Sequence, residues 1–182
     1  MAPSATIYRL NITLSDVDRG VYETLDLRVA RHPSESARYF WQRVLAYCLS
    51  YEDGIMFSKG GLSDSDEPPV SVVDPTGILL AWIDVGSPSA ERLHRASKAA
   101  RRVALFSATE RVLLEREAAS RKIHLLEEIA VFLLEAKFLD ALEQRLEKHL
   151  VLELVRSSDT LYVTLPGGNV VEGSITETRL SA

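Results

Sequence analysis

Cysteine is almost missing from this chain: Cys48 is the only one in 182 residues. A lone thiol forms no intrachain disulfide, so a disulfide-stapled scaffold is excluded and a reducing cytoplasm is the expected setting. Long apolar runs are missing as well. The stretch ILLAWIDVG is non-polar from Ile78 to Ile83 and then breaks at Asp84, well short of a membrane span. The opening MAPSATIYRL lacks a basic start followed by an apolar stretch, so no secretory signal is read from it. Basic residues are not in excess, with 21 Lys and Arg against 26 Asp and Glu for a net charge of −5. That balance argues against a domain whose main work is gripping a phosphate backbone, although a local patch can defeat an average. The four histidines, His32, His94, His124 and His149, show no pair at metal-ligand spacing, which leaves a zinc site little support. Gly60-Gly61 and Gly167-Gly168 match neither the Walker A loop nor the dinucleotide fingerprint, so nucleotide-cofactor enzymes drop out.

What is present reads as one soluble globular domain over residues 1–182, at 46% hydrophobic and 26% charged, with no internal repeat and no Pro-rich linker. TIYRLNITL (6–14) and VYETLDLRVAR (21–31) alternate apolar and polar residues, the mark of half-buried strands, joined by the polar loop SDVDRG. After His32-Pro33, Ser34 is an apt N-cap, and Ala37, Phe40, Trp41, Val44, Leu45 and Cys48 recur at helical spacing, which predicts a helix over about 35–50. On its apolar side Cys48 is expected to be a buried thiol rather than a nucleophile. GIMF offers a short strand, GLSDSDEPP a loop, and VSVVD and ILLAWIDVG two strands joined by the tight DPTG turn. Ser87 with Pro88 then predicts the start of a helix burying Leu93, Ala96, Ser97, Ala100 and Val103, and VALFS follows as a strand. Trp41 and Trp82 fall on apolar faces and are expected to fill the core. Further on come a charged helix near 109–122, a strand IAVFLL, an amphipathic helix around Phe138, Leu142 and Leu146, and three strands with Ser-Ser-Asp and Pro-Gly-Gly-Asn turns.

From Glu35 onward the order is helix, three strands, helix, strand. Asp84 stands at the far end of an otherwise apolar strand, and an ionised carboxylate withdrawn from water without a partner is very costly. It must sit at an open mouth, hold a cation or accept hydrogen bonds. The plainer alternative is a strand-terminal carboxylate placed near the start of the next helix, favoured there by the helix dipole.

The segments RVARHPSES (28–36), KGGLSDSDEPP (59–69), WIDVGSP (82–88) and RLHRA (92–96) resemble the signature stretches of the YaeQ family of bacterial proteins, and the resemblance runs over nearly the whole chain. It implies a compact variant of the restriction-endonuclease-like, or PD-(D/E)XK, fold: a mixed α/β sheet with an αβββαβ core at about 34–108 and added N- and C-terminal antiparallel strands. In such nucleases acidic residues occupy the first helix, the second strand and the third strand, which correspond here to Glu35, Asp66 or Glu67, and Asp84. Mg²⁺ or Mn²⁺, a hard cation satisfied by two or three carboxylates and several waters, would be held by Glu67 and Asp84, with Glu35 and Asp66 in support. The ion would polarise a phosphoryl oxygen and supply hydroxide at neutral pH.

One departure from the motif stands out. The lysine expected two residues after the third-strand carboxylate is Gly86 here. Arg92, flanking the buried stripe of the next helix, is the first choice for a substitute and Arg95 the second. An arginine can hold phosphate but stays protonated and cannot act as a general base. Two functions are therefore expected: metal-dependent phosphodiester hydrolysis on nucleic acid, or a regulatory or interaction module that keeps the nuclease frame and binds a protein or nucleic-acid partner. No membrane partner is expected. The cationic run Arg92, Arg95, Lys98, Arg101, Arg102 is more simply a solvated helix face than a phosphate-binding one.

Overall fold

Alternation along TIYRLNITLSD sends Tyr8, Leu10, Ile12 and Leu14 to one side, and that side is the buried one. This strand, β1 (Thr6–Asp16), pairs antiparallel with β2 (Val21–Arg31), setting Leu10 opposite Leu27 and Ile12 opposite Leu25. The computed structural model describes residues 4–59 and 66–181, so 61–65 of the loop expected over 61–69 lie outside the described residues. Ten strands and four α-helices among the described residues make a mixed α/β protein. The chain divides into two compact units, Met1–Trp41 with Glu135–Ile175, and Gln42–Leu134 with Thr176–Ala182.

In the first unit β1 also lies parallel to β8 (His149–Ser157), bringing Leu10, Ile12 and Leu14 beside Leu150, Leu152 and Leu154. The added strands are thus antiparallel within each hairpin but parallel where the N-terminal pair meets the C-terminal set. β9 (Thr160–Leu165) and β10 (Asn169–Thr178) continue antiparallel. The helix α4 (Ala136–Glu143) buries Phe138, Leu139 and Leu142. It approaches β10 so closely that a Cβ at Gly173 would come within 2.3 Å of the Phe138 side chain, so only glycine fits there. Leu146, expected on this helix, follows its end.

The first helix, α1 (Ala37–Leu49), buries Phe40, Trp41, Val44, Leu45 and Cys48. Burial pushes the Cys48 thiol up to about 12, which leaves it unreactive at neutral pH. The N-cap is Ser36, whose hydroxyl accepts from the Tyr39 N–H at 3.0 Å, and not the expected Ser34. Ser34 is taken by the His32 ring at 2.6 Å, a local pairing that wins because the turn closes before the helix begins.

In the second unit β3 (Ile55–Phe57), β4 (Val70–Val73) and β5 (Leu79–Val85) run antiparallel. β6 (Arg102–Ser107) and β7 (Ala130–Leu134) extend the sheet in parallel beyond β5. Asp74 organises the turn between β4 and β5, its Oδ1 accepting from the Thr76 N–H and hydroxyl and from the Ile78 N–H at 2.6–2.9 Å. Gly77 sits there at φ +91°, a conformation that favours glycine. Helix α2 (Ala90–Ala99) covers the sheet with Ala90, Leu93 and Ala96, and α3 (Arg111–Ala118) adds Leu114 and Ala118. Leu105, Ile129, Val131 and Leu180 complete this core. Val103, expected on α2, belongs to β6, because the helix ends at Ala99 and the chain turns extended at Ala100. The expected Ser87 cap is displaced to Ser89, whose side chain accepts from the Arg92 N–H, while Ser87 pairs with Thr109.

Candidate functional site

β5 carries Trp82 and Asp84 two residues apart, so both side chains emerge on the same face of the strand. The Asp84 side chain is 2% exposed, which makes its partners decisive. The Trp82 indole N–H donates to Oδ2 at 3.1 Å, and the Val85 backbone N–H donates to Oδ1 at 3.1 Å. The counter-charge is Arg92, whose Nε donates to Oδ2 at 2.6 Å. Its guanidinium also lies over the Trp82 ring, 5.3 Å from the centroid, and donates to the Glu67 backbone carbonyl at 2.9 Å. One arginine thus joins the end of β5, the start of α2 and the segment leading into β4. Ser89 sets this up by fixing the first turn of α2, which aims Arg92 at the strand.

The remaining site residues divide into groups. Arg95 forms an ion pair with Asp66, both well exposed, and also lies 3.8 Å from Glu91. Glu67 meets the cluster through its carbonyl. Glu35 belongs to the other unit and is not in the first turn of α1 as expected: it precedes the helix, 3% exposed, accepting from the His32 N–H on Oε2 at 3.2 Å. Its own carbonyl accepts from Arg31 Nε at 3.1 Å. Within the second unit the structure therefore gathers Asp84, Arg92 and Glu67 and pairs Arg95 with Asp66. Gly86 adopts φ +78° while its N–H donates to the Phe106 carbonyl at 2.9 Å. A lysine at that position would strain the backbone.

Whether these residues suit Mg²⁺ or Mn²⁺ follows from the donor set. Each Asp84 oxygen already accepts from the protein, and Arg92 supplies the positive charge a divalent ion would bring. Asp66 is engaged by Arg95. Among the described residues no three His, Cys, Asp or Glu side chains come together so as to hold an ion. The arrangement does not fit a divalent metal, which prefers several oxygen ligands free to turn toward it. Trp82, expected only to fill the core, is buried and is also a hydrogen-bond donor at the site. Its place two residues before Asp84 on one strand was the available signal.

A sequence model of the YaeQ protein family matches residues 1–172. The chain belongs to the YaeQ family. Among relatives, the protein described as uncharacterised YaeQ of Escherichia coli K12 is 37% identical over 112 residues, and that of Salmonella typhi 38% over the same length. The aligned part spans 61% of this chain and 61% of each relative. The crystal structure of the YaeQ protein from Pseudomonas syringae superposes with a TM-score of 0.85 at 29% identity, covering 98% of this chain and 97% of that one. The YaeQ structure from Xanthomonas axonopodis pv. citri superposes with a TM-score of 0.86 at 24% identity, covering 98% and 100%. These likenesses settle family and fold. No helix among the described residues is long and apolar enough to cross a membrane.

Proposed function

We propose that this YaeQ-family protein is a non-catalytic regulatory or interaction module that retains a nuclease-like frame and acts by binding a protein or nucleic-acid partner. The observation that carries this reading is the Arg92–Asp84 pair: the carboxylate that would anchor a metal is closed off by the chain's own cation, bonded at 2.6 Å and backed by Trp82. Gly86 removes the motif lysine at the same time. A buried charge pair backed by further hydrogen bonds positions elements, and here it ties three segments of one unit together. The test is metal linkage. An ion bound only to the folded state raises Tm with concentration. Mn²⁺ and Mg²⁺ are expected to leave the Tm of wild type and Asp84→Asn equally unmoved, and single- and double-stranded DNA and RNA are expected to stay uncut. A metal-dependent Tm increment lost in Asp84→Asn, or metal-dependent cleavage, sinks the reading.

The second reading is a metal-dependent phosphodiesterase of the PD-(D/E)XK kind, and the observation favouring it is the αβββαβ order of α1, β3, β4, β5, α2 and β6 with Asp84 near the end of β5. It requires Arg92 to leave Asp84. In Arg92→Met that release is built in, so metal-dependent cleavage or a metal-induced Tm rise in this variant supports the second reading. Because Arg92 is also the expected substitute for the motif lysine, loss of cleavage in this variant does not separate the readings; absence of a metal-induced Tm rise in both proteins supports the first. Fold-level analogy alone carries little weight for activity.

A further inference from the structure

The second unit gathers cations at a place the nuclease frame does not use. Helix α2 presents His94 and Lys98 to the segment that follows α3, which presents Arg121, Lys122 and His124. Two contacts hold the segment there: the His124 backbone N–H donates to His94 Nδ1 at 3.2 Å, and Arg121 approaches Glu91 at 3.6 Å. With Nδ1 accepting, the neutral His94 ring carries its proton on Nε2, a further donor. Those five side chains line a surface cavity of about 540 Å³. Its described lining includes three permanent cations, two imidazoles and no carboxylate, in a chain whose net charge is −5. Like charges packed around a hollow repel one another, and an anion in the hollow removes that repulsion.

The surroundings narrow the kind of anion. A second cavity of about 350 Å³ shares Arg121 and Lys122 and continues over Ala118, Ile123, Leu126 and Leu180, which give it an apolar floor, with Glu127 and Ser181 as its other polar lining; the carboxylate there keeps an anionic group on the Arg121 and Lys122 side. An adjoining hollow shares His94, Lys98 and Arg121 and adds Arg95 together with the carboxylate Glu91, so on that side the cationic surface is interrupted by a negative charge that a nucleic-acid strand would have to pass. Both volumes lie in the range of small-molecule sites, roughly 300–1,000 Å³.

We propose that this hollow binds a small phosphomonoester with an apolar or aromatic body, the phosphate among Lys98, Arg121 and Lys122 and the body over Ile123 and Leu126. A phosphomonoester carries about −1.5 to −2 charges at neutral pH and three strong acceptor oxygens, which matches two lysines, a forked guanidinium and the His94 ring. This site is separate from Asp84, and its test stands whether or not the Asp84 cluster proves catalytic.

The experiment is calorimetric titration of the full chain with phenyl phosphate, inorganic phosphate, phenol and a single-stranded oligonucleotide of about twelve nucleotides, at constant ionic strength. Phenyl phosphate is expected to bind more tightly than inorganic phosphate, and phenol not to bind. The exposed double substitution Lys98→Gln/Lys122→Gln is expected to weaken phenyl phosphate about tenfold or more while leaving Tm unchanged. The double substitution Lys137→Gln/Lys148→Gln, at two exposed lysines outside the hollow's lining, serves as the charge-matched control expected to have no effect. The proposal is overturned by absence of phosphate binding, by phenyl phosphate binding no better than phosphate, or by unchanged affinity in the double variant. Binding of the oligonucleotide in preference to phenyl phosphate, strengthening with strand length, would also overturn it and assign the cations to a nucleic-acid track.

Discussion

Asp84 has almost no access to water, so its stability contribution depends on Arg92. Breaking a buried, hydrogen-bonded ion pair by removing one partner costs about 3–5 kcal/mol, because the other charge is left stranded. Arg92→Met is therefore expected to destabilise by roughly that amount. Removing both charges in Arg92→Met/Asp84→Asn is expected to cost clearly less than the two single effects added. Denaturant unfolding of the four proteins checks this; additive costs would mean that the 2.6 Å contact carries no coupling. At this scale the sequence was legible for Arg92, whose place beside the buried stripe of α2 pointed to Asp84. Glu67 was also expected at the site, but its contact with Arg92 through the backbone carbonyl was not legible, since any residue carries that group. Glu35 was expected in the first turn of α1 and instead precedes it, where its side chain closes a turn with the His32 N–H.

Among elements, the turn of the β4–β5 hairpin is reinforced by one side-chain acceptor, Asp74. Its carboxyl is held below the usual value of 3.8, first by the Thr76 hydroxyl and then by the Ile78 N–H. Lowering in the folded state means that the charged form is the stabilising one. Its contribution is complete above pH 3.8 and is lost as pH falls through the lowered folded value. Asp74→Ala is expected to reduce Tm at neutral pH, and the gap to wild type is expected to close on acidification below that range; a gap independent of pH counts against the bond pattern. The strands themselves were read from alternation, and β2 occupies the 21–31 span that alternation predicts. Helix caps were read less well. Ser34, Ser36, Ser87 and Ser89 are all chemically able to cap; Ser34 is claimed by His32 two residues before it, and Ser87 by Thr109, which only the fold brings near.

For the molecule as a whole, each compact unit is assembled from two separated stretches of chain. The last residues illustrate the consequence: Leu180 returns to the core of the second unit beside Leu126 and Ile129 and is 2% exposed. Leu180→Ala is expected to cost about 2–5 kcal/mol, as buried leucine truncations do. Denaturant unfolding reads the total cost, and hydrogen exchange should show lost protection in α3 and β7; unchanged stability would place Leu180 outside the core. Nothing in the local sequence near Leu180 marks it as buried, since no periodic element surrounds it. The same distance in chain hid the cationic hollow: His94 and His124 are 30 residues apart, and neither pairs with another histidine at a spacing that suggests a site.

Element types, their order, the buried faces of the strands and the family were set by the sequence alone, because periodicity and short signature segments are local properties of the chain. The partner of each charge was decided only by the tertiary structure. Asp84 could equally have faced water, a metal or an arginine, and the choice fell to Arg92 when α2 settled against β5 with its first turn capped by Ser89. Burial then made that pairing decisive, since a carboxylate withdrawn from water must be neutralised by whatever cation the fold delivers to it.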